Sequence, residues 1–232
     1  MDIFSGHRKP SFQLPKRDVW IEKTLLHMGY PDLDHIRAEI KAMVSDISFS
    51  VEKETAPLFL FQSEPLESCT ENGFYMHGFH IKSQKWGKIS SRLEGRKFVC
   101  CFALTLGARS EEMIIEINEQ SLMYGYIWDA LCSTLTEYYV DQAEEWIALQ
   151  YMKKGLSVTR RFSPGYCDLD LLQAQKAIFN FCNPESIGIR ISASGLMIPR
   201  KSITGLILAA EKVPLRSPCN SCNRDCKHRR IS

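Results

Sequence analysis

The chain has 232 residues, 44% of them hydrophobic and 24% charged, enough for a sizeable core and one domain with at most a small appendage. Its net charge of +2 is too small to argue for nucleic acid, and no apolar run approaches the roughly 20 residues of a membrane helix, so neither partner is expected. The N-terminal stretch lacks the apolar core of a signal peptide, and nine cysteines without one read as reduced thiols of a cytoplasmic protein.

Residues 1–17, with Pro10 and Pro15, read as an irregular arm. Residues 18–29 have helical spacing, and Gly29 with Pro31 gives a stop. Asp32 or Asp34 is expected to cap a second helix running to about Ser50, with Ile36, Ile40, Met43 and Ile47 on one face. The apolar run 56–62 predicts a strand, 73–81 holds another, and a short helix is expected around Trp86. Residues 97–106 (KFVCCFALTL) give the clearest strand, apolar nearly throughout and so expected to be central and covered on both faces. Gly107 ends it, and Ser110 is expected to cap the next helix. A long helix is predicted from about Leu122 to Lys153, ended by Gly155. A further helix runs from Asp168 or Asp170 to about Cys182, where Asn183-Pro184 breaks it. Segments 187–191 and 202–210 read as two strands joined through the Pro199 turn. No regular βαβ rhythm is present, so the expected class is α+β.

Two segments carry chemistry. Arg161-Phe162-Ser163-Pro164-Gly165-Tyr166 puts a permanent cation, a turn dipeptide and an aromatic ring within six residues. Such an arginine can clamp a carboxylate in a bidentate way, and Gly165 permits a positive φ or close approach of a ligand. Taken alone, the segment is also what a β-turn beside a surface arginine looks like. Met197-Ile198-Pro199-Arg200-Lys201-Ser202-Ile203-Thr204-Gly205 follows one helix and one strand later.

Together these segments resemble the reactivation domain of cobalamin-dependent methionine synthase. Arg161, Pro164, Gly165 and Tyr166 match its Arg-x-x-x-Gly-Tyr stretch; Met197, Pro199, Ser202 and Gly205 match its Met-x-Pro-x-x-Ser-x-x-Gly stretch. The strings RFSPGY and PRKS are similar to a subgroup in which this domain is a separate, short protein. The resemblance covers residues 97–210 and is vague before that. It implies a twisted, mainly antiparallel sheet with flanking helices, divided as 1–96, a mixed part of the same domain; 97–211, the ligand-binding core; and 212–232, a tail.

By the same resemblance the chain binds S-adenosylmethionine and presents it to cobalamin on a partner, most readily methionine synthase. Reductive methylation of cob(II)alamin then draws its electron from a flavodoxin or ferredoxin-like donor. Arg161, Ser163, Pro164, Gly165 and Tyr166 are the implied ligand residues; Tyr166, Met197, Pro199 and Ser202 would face the cobalamin. Glu137 resembles a family acidic residue near the ligand; a carboxylate there can pair with the ammonium, though a solvated helix face fits it as well. The family's tyrosine pair near the adenosine is missing after Gly205, which leaves the adenosine end without its usual partners. Two other readings stay open: a different corrinoid protein as client, or a non-catalytic adaptor or redox module acting through the C-terminal cysteines.

That tail is basic, with Lys212, Arg216, Arg224, Lys227, Arg229 and Arg230 against Asp225. Its Cys219-x2-Cys222-x3-Cys226 spacing can wrap one zinc ion or iron–sulfur cluster, with His228 or a remote cysteine as fourth ligand. A reduced, solvated tail fits the same spacing. Cys100-Cys101, Tyr138-Tyr139 and Trp146 are expected in core packing, and His77-x2-His80 near Trp86 lacks a third ligand.

Overall fold

A computed structural model describes residues 5–6 and 11–221. Ten strands and six α-helices are present among these residues. They run β1 (Ser5–Gly6), α1 (Arg17–His27), α2 (Ala38–Glu54), β2 (Leu58–Pro65), β3 (Ser68–Thr70), β4 (Gly73–Met76), β5 (Phe79–Lys82), α3 (Gln84–Ser90), β6 (Glu94–Thr105), α4 (Arg109–Gln120), α5 (Leu122–Met152), β7 (Ser157–Val158), α6 (Leu171–Cys182), β8 (Arg190–Ile191), β9 (Met197–Ile198) and β10 (Ser202–Lys212). The main sheet has the order β1-β2-β6-β10-β7, and every neighbouring pair in it is antiparallel.

Strand β6 is central and covered on both faces, as its unbroken apolar run implies. Alternation along the strands then builds two cores. Cys100, Phe102, Leu104, Phe59, Ile207 and Ala209 face α1, α2 and α5. Val99, Cys101, Ala103, Leu60, Leu206 and Leu208 face α3, α6 and the β4–β5 hairpin. Cys100 and Cys101 are thus packing residues on opposite faces, and burial pushes both thiols well above their ordinary pKa.

Helix α5 is the spine of the first core. Ile127, Trp128, Leu131, Leu135, Tyr139, Ala143, Ile147 and Tyr151 are buried along it. It ends where Gly155, at φ +73°, lets the Leu156 N–H return to the Tyr151 carbonyl at 3.1 Å. Tyr139 stacks on Phe12 with centroids 4.9 Å apart, and Trp146 meets Phe61 edge-on at 5.0 Å, so both aromatics serve packing.

Several boundaries depart from the sequence reading. The N-terminal arm is not wholly irregular: β1 pairs with β2, and Gln13 exchanges two hydrogen bonds with the Gln142 side chain. Helix α2 begins after Arg37, because Asp32 spends its carboxylate on the Asp34 N–H and on His35 instead of capping a helix. Ser110 lies inside α4, its hydroxyl donating back to the Gly107 carbonyl at 2.7 Å. Residues 73–81 form a hairpin turning at His77-Gly78. Segment 187–191 adds no strand to the main sheet: Pro184–Ile187 is a 3-10 turn, and β8 pairs only with β9.

Candidate ligand-binding site

The 159–162 stretch continues β7 along the edge of β10. The Thr159 N–H donates to the Leu208 carbonyl at 2.8 Å, and Phe162 and Leu206 exchange backbone bonds of 2.9 and 2.8 Å. Strand alternation sends adjacent side chains to opposite faces. Phe162 is therefore buried against Trp86, with centroids 4.4 Å apart, while Arg161 turns onto α5.

There Arg161 meets three carboxylates. Its Nη1 donates to Asp141 Oδ1 and Glu144 Oε2, each at 2.6 Å, and Nη2 to Glu137 Oε2 at 3.0 Å. Its backbone N–H donates to Glu144 Oε1 at 3.0 Å. Positions 137, 141 and 144 are spaced four and three apart, so one helix face presents all three. Burial works against the guanidinium charge, but Asp141 and Glu144 outweigh it and hold the Arg161 pKa above its ordinary value. The Arg161 side chain is 4% exposed and that of Glu144 8%, whereas Asp141 and Glu137 are more than half exposed. Arg160 Nη1 lies 3.7 Å from Glu144, so the cluster sets three carboxylates against two guanidiniums. Both terminal nitrogens of Arg161 thus already have carboxylate partners on α5, so a ligand carboxylate would have to displace one of them.

After Phe162 the chain makes a tight double turn. The Gly165 N–H donates to Leu169 O at 3.0 Å and the Tyr166 N–H to Ser163 O at 3.3 Å, so these donors serve the turn itself. Gly165 takes φ +86° and Cys167 φ +58°. Asp168 ties the turn to α3: its carboxylate accepts from Ser83 Oγ at 2.6 Å and from the Lys85 N–H at 3.1 Å. We expect Asp168→Ala to lower stability by about 1 kcal/mol and to accelerate amide exchange across 163–169. Unchanged exchange there would show that the tie does not hold the turn.

The second segment is pinned from the other side. Lys201 Nζ donates to Ser133 Oγ and lies 2.8 Å from Asp129, and Arg200 Nε pairs with Glu111 at 3.0 Å. Ser202 Oγ donates to Thr105 Oγ1 at 2.9 Å. Pro199 is buried, and Gly205 lies directly against the Phe102 ring.

Between the two segments opens a cleft of about 710 Å³, within the range of small-molecule sites. Arg161, Ser163, Pro164, Tyr166, Glu137, Met197 and Ser202 all border it, whereas Gly165 and Pro199 support its walls without lining it. Further lining residues that sequence reasoning did not single out include Arg160, Leu196, Gln175 and Thr204. Gln175 is 1% exposed and accepts from Thr204 Oγ1 at 2.9 Å. A polar side chain on the inner face of the amphipathic helix α6 was the available signal. Tyr166 and Ile198 of these two segments, and Leu196 just before the second, are large exposed side chains.

Cys219 is half-buried and borders the same cleft; Cys222, Cys226 and His228 lie outside the described residues. No group of three metal-ligating side chains occurs among the described residues. His77 lies 3.7 Å from Glu64, and His80 stacks on Tyr75 at 4.3 Å. No helix among the described residues is long and apolar enough to cross a membrane.

No family model matches the chain, and neither does any curated protein. Among solved structures it is similar to the crystal structure of the MetH reactivation domain bound to AdoHcy, with a TM-score of 0.60 and 13% identity over 89% of this chain and 78% of that one. The likeness is one of architecture, and the chain has an α+β fold of the MetH reactivation-domain type: a mainly antiparallel sheet with flanking helices.

Proposed function

We propose that the chain binds S-adenosylmethionine in this cleft and supports reductive methylation of cob(II)alamin on a partner corrinoid methyltransferase, methionine synthase in the first instance. One observation carries the reading. Segments 161–166 and 197–202, far apart in sequence, border a single cleft in a fold whose solved counterpart holds AdoHcy.

The residues fit such a ligand. Its ammonium and sulfonium are cations, and Glu137 offers a carboxylate on the cleft wall beside Arg160 and Arg161. Glu137 and the carbonyls of the 163–166 turn would take the ammonium. The ligand carboxylate would replace Asp141 on Arg161, assisted by Arg160. That exchange keeps the guanidinium paired with a carboxylate, and Asp141, 57% exposed, can turn to solvent. Glu144 stays paired throughout. Gln175 and Thr204 offer polar contacts deeper in. Tyr166, Met197, Pro199 and Ser202 would form or brace the side presented to the corrin.

The sulfonium supplies a methyl cation equivalent, and a flavodoxin or ferredoxin-like donor supplies one electron. Cob(II)alamin thereby becomes methylcobalamin, and S-adenosylhomocysteine leaves. The chain needs no acid or base for this; its part is positioning and charge.

Calorimetric titration of the full chain with S-adenosylmethionine tests the reading. Gln175→Ala should weaken binding about tenfold, as the loss of a polar contact predicts. Asp141→Asn should tighten it several-fold by removing the competitor for Arg161. No heat with the wild-type chain at millimolar ligand would sink the proposal.

A further inference from the structure

We infer that Gln175 and Thr204 form the base-reading end of the cleft, where the Gln175 amide recognises the adenine of a bound adenosyl compound by its N6–N7 edge. The inference rests on the reading of the cleft as an S-adenosylmethionine site and assigns the two ends of the ligand.

The cleft is divided by charge. Glu137, Arg160 and Arg161 line it and gather against α5. None of the lining residues from Leu171 to Thr204 is charged. The amino-acid end of the ligand belongs with the first group, and a neutral heterocycle with the second. Leu171, Leu196 and Met197 in that neutral part supply apolar surface for a flat ring.

Gln175, on α6, and Thr204, on β10, are each 1% exposed. Thr204 stands opposite Ala103 of β6 in the main sheet, so the ladder fixes its place. Its Oγ1 donates to Gln175 Oε1 at 2.9 Å. That bond orients the amide, with its oxygen toward Thr204 and its nitrogen away. Among the described residues Thr204 is the hydrogen-bond partner of this amide. The sealed side-chain atoms left without a partner belong to Glu64, His80 and Trp86, and the Gln175 nitrogen is not one of them. It therefore opens onto the cleft that Gln175 lines. A donor so enclosed is costly to leave unpaired, and a ligand acceptor removes that cost.

Adenine supplies the match. Its N7 accepts from Nε2, and its N6 amino group donates to the second lone pair of Oε1, the bidentate pairing that glutamine makes with this base. Hypoxanthine keeps N7 but carries an oxygen at position 6, which would meet Oε1 lone pair against lone pair.

The test is calorimetric titration of the full chain with S-adenosylhomocysteine, its inosine counterpart and its 7-deaza counterpart. The wild-type chain should bind the second and third at least about tenfold more weakly than the first, the discrimination expected of a bidentate base contact. Gln175→Leu should bind all three alike. Thr204→Val keeps the shape but frees the amide to turn over, so it should narrow the gap between the adenosine and inosine probes. Unfolding midpoints of both variants establish that folded protein is being titrated. Equal wild-type affinity for the three probes would overturn the inference. So would undiminished discrimination in either variant, or a 2′-deoxyadenosyl probe whose binding alone depends on Gln175, which would put the ribose there instead. Adenosyl binding without base discrimination defeats this inference only; no binding of any probe, S-adenosylmethionine included, defeats the reading of the cleft as well.

Discussion

Arg161→Ala should destabilise the protein by about 3 kcal/mol, the lower part of the range for removing one partner of a buried ion pair. The loss comes from Glu144, 8% exposed, which gives up its 2.6 Å contact with the guanidinium and keeps the backbone N–H of residue 161 and Arg160 at 3.7 Å. Asp141 and Glu137 reach solvent and add little. The double variant Arg161→Ala/Glu144→Gln should recover more than half of the loss, because it removes the stranded charge. Urea unfolding midpoints of the two single variants and the double variant complete the cycle. Independent, additive effects would mean that the cluster is not a coupled unit. The result bears on function too: weaker ligand binding by Arg161→Ala must be corrected for its lower folded fraction before any contact is assigned.

Gly87→Ala should be at least as damaging, although Gly87 lies outside the cleft. A Cβ built there would sit 2.0 Å from the Glu71 carbonyl oxygen and 2.7 Å from the Gly73 nitrogen. Both are backbone atoms that no rotamer change can move away. Overpacking costs about 1–3 kcal/mol where side chains yield, and a backbone obstacle puts this case at or above the top of that range. Helix α3 would have to lift from the β3–β4 turn. Ser83 and the Lys85 amide move with it, and these two groups hold Asp168. We therefore expect a Tm lower by several degrees together with faster exchange across 163–169. A Tm within one degree of wild type would show that α3 is not seated as described.

Elements whose partners are local were legible in the sequence. The 122–152 helix announces itself through a repeat of apolar positions over eight turns, and β6 through a run, 97–106, that is apolar nearly throughout and is ended by Gly107. Asp170 was recognisable as the cap of α6 and does accept the Gln173 N–H at 2.7 Å. Where two local preferences compete, the reading failed. Asp32 can cap a helix or close a turn, and His35 decides for the turn. Segment 187–191 has a strand's composition, but Pro184 starts a 3-10 turn and Gly188 a left-handed bend. The two site segments could be marked as chemistry-bearing. What Arg161 touches could not, because that depends on strand register and helix phase at once. Gln175 could be marked as a polar residue on the inner face of α6, but not its pairing with Thr204, which is set by how α6 lies on β10.

Both walls of the cleft hang from one strand. Phe162 is bonded to Leu206 in the middle of β10, and the Met197–Ser202 segment runs directly into its first residue. They are two points on one continuous strand. Capture of a small molecule here would proceed without a closing movement. Little ordering entropy would be spent on the walls, and affinity would not be divided by the population of a rare open or shut form.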